Sequence, residues 1–260
     1  MKKVLFILII LFGNNLVSQN KKIIYVDENY KKVGFLKFKK KESSMLFDLI
    51  IAENDTVIIK KLRYKEFFGK LDHITKKQLS LIFNSKYNID TTKTWLIHNV
   101  DSVPDIKRMP KKSGIEFLDS LQNPTGIFWT KKELKTNSKE MPYKRHRHVS
   151  NFEDYLNKIN VEKKSIKKNI ELLHFYSKNN GFPIKTLNEY DYFEDYNSLI
   201  RKLFTDGTKA YKVIILFTDG SFYASNVYNC IKLENKLTTK KYFNRKKKKW
   251  YKKINKLNKD

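Results

Sequence analysis

The strongest local constraint on the fold of this chain is a tight turn near its C-terminus. Residues 218–221 (Thr-Asp-Gly-Ser) separate an apolar, partly β-branched run at 213–217 from Phe222 and Tyr223. An Asp-Gly pair between two apolar runs is the strongest short-range signal for an antiparallel hairpin, because Asp and Gly accept the positive φ that the turn requires. The sequence therefore predicts a β-hairpin at this position.

Apolar runs bounded by turn residues predict further strands, at 22–26, 94–100 and 170–176, and a second hairpin formed by 45–51 and 56–62. Capping residues followed by apolar positions at helical spacing predict helices that begin near Thr75, Ser113, Ser150 and Asp191. Helical character also extends from Ile231 onward. Residues 131–147 are polar and basic without a clear period, which favours a long exposed loop.

In the last third of the chain, the predicted elements follow the order strand, helix, strand, tight hairpin, strand and helix. The segment 211–222 (Tyr-Lys-Val-Ile-Ile-Leu-Phe-Thr-Asp-Gly-Ser-Phe) resembles the central hairpin of the thioredoxin-like fold. The chain is also similar to exported proteins common in Bacteroidota, among which redox-inactive relatives of that fold occur. The resemblance extends over residues 94–257 and implies an α/β (α+β) fold. An N-terminal strand-rich segment would precede a thioredoxin-like mixed sheet flanked by helices.

The chain departs from the thioredoxin-like pattern at two points. The paired-cysteine motif is absent, because Cys230 is the single cysteine and follows the hairpin. Lys209 and Ala210 occupy the place where that family has a proline. The resemblance therefore implies no thiol–disulfide activity for any residue of this chain, and we expect no cofactor.

The N-terminal residues have the pattern of a secretory signal peptide. Lys2 and Lys3 precede an apolar run at 4–12, and a polar region follows that includes the small residue Ser18. The apolar run is shorter than the roughly 20 residues that span a bilayer, so a retained membrane anchor is the weaker alternative. We expect cleavage after Ser18 and export of a soluble chain, without a transmembrane span, to the periplasm or the extracellular space.

The composition shifts along the chain divide it into four predicted parts. These are a signal peptide (1–18), a hairpin-and-helix segment (19–90), a thioredoxin-like α/β domain (91–235) and a basic amphipathic helix or tail (236–260). Because Cys230 has no partner in the chain, stability must come from packing rather than from an internal disulfide. Free cysteine is among the most buried residue types, which favours a buried Cys230 over a reactive thiol or an intermolecular bridge.

The formal net charge of +27 predicts long-range attraction to anionic partners, namely nucleic acid, lipopolysaccharide or membrane headgroups. The alternative is a lysine-rich composition whose charges merely face water. The charge is most concentrated at 231–260, where 13 lysines and arginines oppose two acids. Phe243, Trp250, Ile254 and Leu257 share one stripe of a predicted basic amphipathic helix there. We expect this helix to dock at its start and to be exposed at its end.

Two basic segments supply the candidate anion-binding residues. They are Lys144, Arg145 and Arg147 in the predicted loop, and Arg245, Lys246, Lys247, Lys248, Lys249, Trp250, Lys252 and Lys253 in the predicted helix. Within the first segment, His146 and His148 are spaced to hold a metal ion in an extended strand. The flanking cations would repel a divalent ion, so we expect no metal site there.

The sequence favours a non-catalytic binding or structural protein with affinity for anionic partners, because it has no nucleophile elbow and no phosphate-binding loop. The alternative is an exported basic hydrolase or nuclease that acts on an anionic polymer. That alternative requires histidines and carboxylates to converge in one cleft. The residues to examine are His98, His174 and the acids Glu189, Asp191, Glu194 and Asp195. For these acids, a capped helix start is favoured over a calcium-binding loop or a paired-carboxylate site. A calcium loop would also need a glycine and a closing glutamate, which are absent here.

Overall fold

The computed structural model describes residues 21–137, 145–205 and 210–259, which form two compact units. The first unit ends at Glu66 and also includes the residues from Lys252 onward, and the second unit is Phe67–Tyr251. The predicted signal peptide and Lys144 lie outside the described residues. Mixed helix and strand content confirms the α+β fold class.

The first unit is a small sheet with one helix. Its elements are β1 (Lys22–Val26), α1 (Phe35–Glu42), β2 (Phe47–Glu53) and β3 (Val57–Tyr64). The strand order is β1-β3-β2, with β1 parallel and β2 antiparallel to β3. This pairing confirms the hairpin predicted across residues 53–55, whereas α1 had no counterpart in the sequence analysis. Phe38, Phe47 and Leu62 form the core of the unit, and Leu257 packs against them.

The second unit is larger, and its strands and helices alternate irregularly. Its strands are β4 (Glu66–Lys70), β5 (Thr94–Val103), β6 (Gly114–Leu118), β7 (Pro124–Thr130), β8 (Arg145–Val149), β9 (Ile170–Asn179), β10 (Tyr192–Glu194), β11 (Val213–Leu216) and β12 (Ser221–Ser225). Its helices are α2 (His73–Tyr87), α3 (Lys131–Asn137), α4 (Phe152–Ser165), α5 (Ile184–Glu189), α6 (Leu199–Leu203), α7 (Ile231–Leu237) and the greater part of α8 (Lys240–Lys259).

A six-stranded mixed sheet organises this unit in the order β10-β9-β5-β11-β12-β4. β9 is parallel to both β5 and β10, while β11 is antiparallel to β5 and β12. The predicted hairpin is confirmed as β11 and β12. Its turn places Gly220 at φ +81°, and a Cβ at Gly220 would lie 3.0 Å from the carbonyl oxygen of Leu71. Glycine is therefore required there for both backbone conformation and space.

Alternation along β5 and β9 directs side chains to two different layers. On one face, Trp95, Ile97, Leu173 and Phe175 are buried together with Leu79 and Phe83 of α2. The opposite face carries His98 and His174 in the middle of the sheet. Helix α4 contributes Ile159 to the apolar cluster that includes Tyr176 and Tyr192. The polar pair of histidines thus lies in the layer between the sheet and α4.

Two segments between β5 and α4 differ from the predictions. The helix expected from Ser113 is instead strand β6, which pairs with β7 and β8 in the order β7-β6-β8. The loop expected at 131–147 contains α3 and the first part of β8, and residues 138–144 lie outside the described part. Cross-strand pairing decides the structure of β6, because so short a segment with three apolar side chains fits either a helix or a strand by its period alone.

The helix predicted from Asp191 is also wrong in its first half. Residues Tyr192–Glu194 form strand β10, and only Leu199–Leu203 is α-helical. Asp195 provides the cap, since its carboxylate accepts hydrogen bonds from the backbone N–H groups of Ile200 and Arg201. The predicted helices near Thr75 and Ser150 are confirmed, with Asp72 and Asn151 as their N-cap residues.

The C-terminal helix α8 contributes residues to both units, and it is packed in each of them. Phe243 and Trp250 are buried in the second unit, and Ile254 is buried in the first. The end of this helix was expected to be exposed, and its polar side chains are, but its apolar stripe is packed through Ile254 and Leu257. None of the helices that the structure describes has the length and apolar character needed to cross a lipid bilayer.

The units do not divide where the sequence analysis placed its boundary, near residue 90. β4 pairs with β12 at the edge of the large sheet, and α2 covers that sheet. These elements therefore belong to the second unit, although they precede the first predicted strand of the α/β domain. The expected burial of Cys230 is wrong as well. Its thiol is exposed, because Cys230 is the N-cap residue of α7 and leaves the apolar side of that helix to Leu237.

Candidate metal centre

Two histidines are brought together by the register of the central strands. His98 on β5 and His174 on β9 are directly paired, and their ring centroids lie 5.1 Å apart. Paired residues on adjacent strands point to the same face of a sheet. The ring of Tyr192, which pairs with His174 on the other side, stacks on the imidazole of His174 at 4.2 Å. Both histidines are almost completely buried.

A carboxylate from α4 completes a cluster of three ligand-type side chains. Tyr155, Ile159 and Glu162 follow one another at helical spacing and line the same cleft. The Oε2 atom of Glu162 lies 3.9 Å from Nε2 of His174. One ligand atom from each of His98, Glu162 and His174 lies within 4.8 Å of the other two. Two imidazoles and one carboxylate are the donor set of several catalytic zinc sites.

A second carboxylate, Glu234 of α7, holds His98 in place. Its Oε2 atom lies 3.0 Å from Nε2 of His98, and its Oε1 atom accepts a hydrogen bond from the backbone N–H of Asn229. The side chain of Glu234 is only 1% exposed. A buried carboxylate that engages one ring nitrogen of a histidine fixes the tautomer and the orientation of the ring, as second partners of metal-binding histidines do.

The electrostatics of the cluster suit metal binding at neutral pH. Burial lowers the pKa of His174 to about 4, although the nearby carboxylate of Glu162 opposes the shift. Burial tends to raise the pKa of Glu162, but the polar contact with His174 and the proximity of His98 lower it overall. A neutral imidazole and an ionised carboxylate are the forms that bind a metal ion. The Nδ1 atom of His174 is buried without a hydrogen-bond partner.

The cluster is open to one side through a cleft of about 500 Å³, named here the metal cleft. Around the three ligand-type residues, the wall is formed by Tyr155, Lys158, Tyr192, Tyr228, Cys230 and Glu234. Burial raises the pKa of all three tyrosines, so their hydroxyl groups stay protonated. The hydroxyl group of Tyr228 donates to the backbone carbonyl of Asn99 at 3.0 Å. The arrangement combines three ligand-type side chains with open space beside them.

The acids that the sequence analysis singled out do not join the two histidines. Glu189 is exposed, and the carboxylate of Asp191 forms an ion pair with Lys163. Asp191 contacts His174 only through its backbone carbonyl, which accepts the N–H of His174. Asp195 caps α6. The convergence required for a hydrolase is therefore present for His98 and His174, but with different carboxylates from those named beforehand.

The candidate anion-binding residues lie elsewhere. Arg147 forms an ion pair with Glu116 at 2.6 Å, and Arg145 donates to the backbone carbonyl of Ser120. Of the candidate cations on α8, Arg245, Lys248, Lys249, Lys252 and Lys253 are exposed, whereas Lys246 and Lys247 are half-buried against aromatic rings. Trp250 is buried against Phe67 and Phe68, so this docked helix does not present it to an interface.

Glu162 and Glu234 were missed by the sequence analysis, although one of them carried a signal. The apolar stripe of the predicted helix runs through Phe152, Tyr155 and Ile159, and the next position on that face is Glu162. A carboxylate on the buried face of a helix needs a partner, which is a recognisable mark of a polar site. Glu234 is one of the two acids in the basic segment 231–260, and no periodic apolar pattern in the sequence marked it as buried.

Comparison of this chain with known proteins gives no relative from which a function is carried over. No family model matches the sequence. Neither the curated proteins nor the solved structures include a significant match.

Proposed function

We propose that this protein is a zinc-dependent hydrolase whose metal ligands are His98, His174 and Glu162. The observation that carries the proposal is the convergence of these side chains, with ligand atoms within 4.8 Å of one another, beside an open cleft. Catalytic zinc sites use three protein ligands and leave one position for water, whereas structural sites use four. The same donor set binds ferrous iron, but zinc stands above ferrous iron in the general order of divalent affinities.

The remaining residues of the metal cleft have roles that follow from their contacts. A zinc ion held by these three ligands would lower the pKa of a bound water molecule to about 7 and would polarise a carbonyl group. Glu234 orients His98 through the 3.0 Å contact described above. The protonated hydroxyl group of Tyr155 lines the same cleft and would be a hydrogen-bond donor to a bound substrate. Lys158 adds a positive charge that favours an oxyanion.

The proposal is tested by hydrolysis of a small chromogenic ester, p-nitrophenyl acetate. We expect turnover that requires Zn²⁺, is lost with a chelator, and returns when Zn²⁺ is added. His98→Ala, His174→Ala and Glu162→Gln should each abolish it, because each removes a ligand. The matched control is His73→Ala, since His73 is exposed on α2. Turnover that is unaffected by the three ligand substitutions would contradict the proposal.

We propose, as a second function, that the exposed cations of α8 bind anionic partners such as nucleic acid or membrane headgroups. The support is that Arg245, Lys248 and Lys249 remain exposed while the apolar stripe of the helix is buried. Binding to heparin or DNA should weaken steeply with salt, since each neutralised phosphate or sulfate releases counterions. Charge reversal of these three residues should reduce that salt dependence, and an unchanged dependence would assign the effect to the overall composition.

We further propose that residues 94–257 are related to the thioredoxin-like fold and that the chain is exported. The mixed sheet supports the first point, since a hairpin of β11 and β12 follows the parallel pair of β5 and β9. The N-terminal pattern of Lys2, Lys3 and an apolar run supports the second. Mass spectrometry of the secreted protein tests export: a product that begins at Gln19 supports it, and a chain that keeps Met1 contradicts it.

A further inference from the structure

A second cleft adjoins the metal cleft on α4. It encloses about 520 Å³ and shares the lining residues Lys158 and Glu162 with the metal cleft, so the two clefts adjoin at a proposed zinc ligand. Its remaining wall comes from α4, from Leu134 of α3, from the start of β6 and from the end of β8. Two adjoining clefts of this size exceed the needs of a small substrate, which indicates a ligand that extends past the metal ion.

One wall of the second cleft is the edge of a sheet. His148 and Val149 of β8 line it, and within the described part of the chain β8 pairs only with β6. An edge strand presents a row of backbone N–H and C=O groups, and an extended peptide pairs with such an edge as an additional strand. A nucleic acid has no such alternating row of donors and acceptors along its backbone.

The other groups in the second cleft also suit a polypeptide. Asn157 and Ser150 offer neutral hydrogen-bonding groups, and Leu134 and Val161 offer apolar contacts. The charged residues Asp154, Lys158 and Glu162 include both signs, so this cleft is not a positively charged groove. A polyanion would need an excess of free cations along its path, which this lining does not supply. The two arginines of the adjoining strand β8 are engaged, Arg147 by the carboxylate of Glu116 and Arg145 by the carbonyl oxygen of Ser120.

We propose that the substrate is an unfolded or extended polypeptide, which binds along β8, crosses α4 and is cleaved at the metal cleft. The proposal rests on the zinc-dependent hydrolase proposed above. In the reaction, the oxygen of water forms a bond to the peptide carbonyl carbon, and the carbon–nitrogen bond breaks. The leaving nitrogen takes a proton from that water, so the products are a carboxylate and an amine and no redox partner is needed.

The test compares a labelled unfolded polypeptide, fluorescein-casein, with a labelled single-stranded oligonucleotide, both with zinc present. Val161→Trp fills the second cleft from an exposed position on α4, and Leu81→Trp is the matched control on α2. We expect casein cleavage by the wild type and by Leu81→Trp, and a loss of about tenfold or more in Val161→Trp, because binding beyond the reacting group is blocked. Hydrolysis of p-nitrophenyl acetate should be unchanged in Val161→Trp.

A second pair of variants examines the strand edge. His148→Pro and Val149→Pro, made separately and checked for folding by circular dichroism, each remove one backbone donor. One of the two should reduce casein cleavage without affecting ester hydrolysis. Ester hydrolysis without casein cleavage, equal casein cleavage in Val161→Trp, or cleavage of the oligonucleotide instead would overturn the polypeptide proposal. Absence of zinc-dependent ester hydrolysis would overturn the proposed function, and the polypeptide proposal with it.

Discussion

His98 and His174 are direct neighbours across the parallel strands β5 and β9, with ring centroids 5.1 Å apart in a layer covered by α4. A pair of buried histidines on a sheet face is costly unless each ring is given polar partners. Glu234 meets His98, and Glu162 approaches His174. The sheet and two helices thus supply the four side chains of the centre, each from a different element.

Removing the carboxylate that orients His98 should weaken metal binding. Glu234→Gln keeps the size of the side chain but loses its charge, and substitution of such second partners typically costs about 10- to 100-fold in metal affinity. Competition with a chromophoric chelator measures the change. Glu189→Gln is the control, because Glu189 is exposed and lies outside the cleft. Equal zinc affinity in Glu234→Gln and the wild type would refute an orienting role for Glu234.

The sequence predicted both histidine-bearing strands but not their pairing. Strands at 94–100 and 170–176 followed from apolar runs, whereas the register that places His98 opposite His174 is set by contacts between segments far apart in the chain. The same limit contributes to the error at β6, which was taken for a helix: its pairing with β8, in which Gly114 lies opposite Val149, is non-local. The carboxylates were missed because their role depends on which face α4 and α7 turn to the sheet.

The C-terminal helix should be necessary for stability. Trp250 is 6% exposed, and its ring centroid lies 5.6 Å from that of Phe68. Trp250→Ala should lower the free energy of unfolding by about 3–5 kcal/mol, and deletion of residues 244–260 should do at least as much damage. Chemical denaturation measures both. Lys248→Ala, at an exposed position, should stay within about 0.5 kcal/mol of the wild type. A truncated chain as stable as the full one would show that the helix is not part of the fold.

The hairpin turn should make stability depend on pH in the acidic range. Burial alone would raise the pKa of Asp219, but hydrogen bonds from Lys240 and Ser221 outweigh this effect and lower the pKa to about 2 from its usual 3.8. A carboxyl group with a lowered pKa stabilises the folded state above pH 3.8, and this contribution disappears as the pH falls towards 2. Asp219→Asn keeps a good turn residue and should lower the melting temperature at pH 7. The difference should vanish near pH 2, and a difference that is constant with pH would contradict the charge-based explanation.

The thiol of Cys230 should react in the native protein. It is exposed at the N-cap of α7 and lines the metal cleft. Ellman's reagent should therefore modify one thiol per chain without denaturant, and Cys230→Ser should abolish the reaction. Zinc should slow the modification, because the ion and the thiol share one cleft. A reaction that begins only after unfolding would mean that Cys230 is buried, as the sequence alone had suggested.

The most direct test of the account is calorimetric titration of the folded protein with Zn²⁺. We predict one bound ion per chain for the wild type and for His73→Ala, because His98, His174 and Glu162 bring their ligand atoms within 4.8 Å of one another. The double variant His98→Ala/His174→Ala should bind none at the same concentrations while remaining folded by circular dichroism. A wild type that binds no zinc, or a double variant that binds it equally well, would contradict the assignment of this centre.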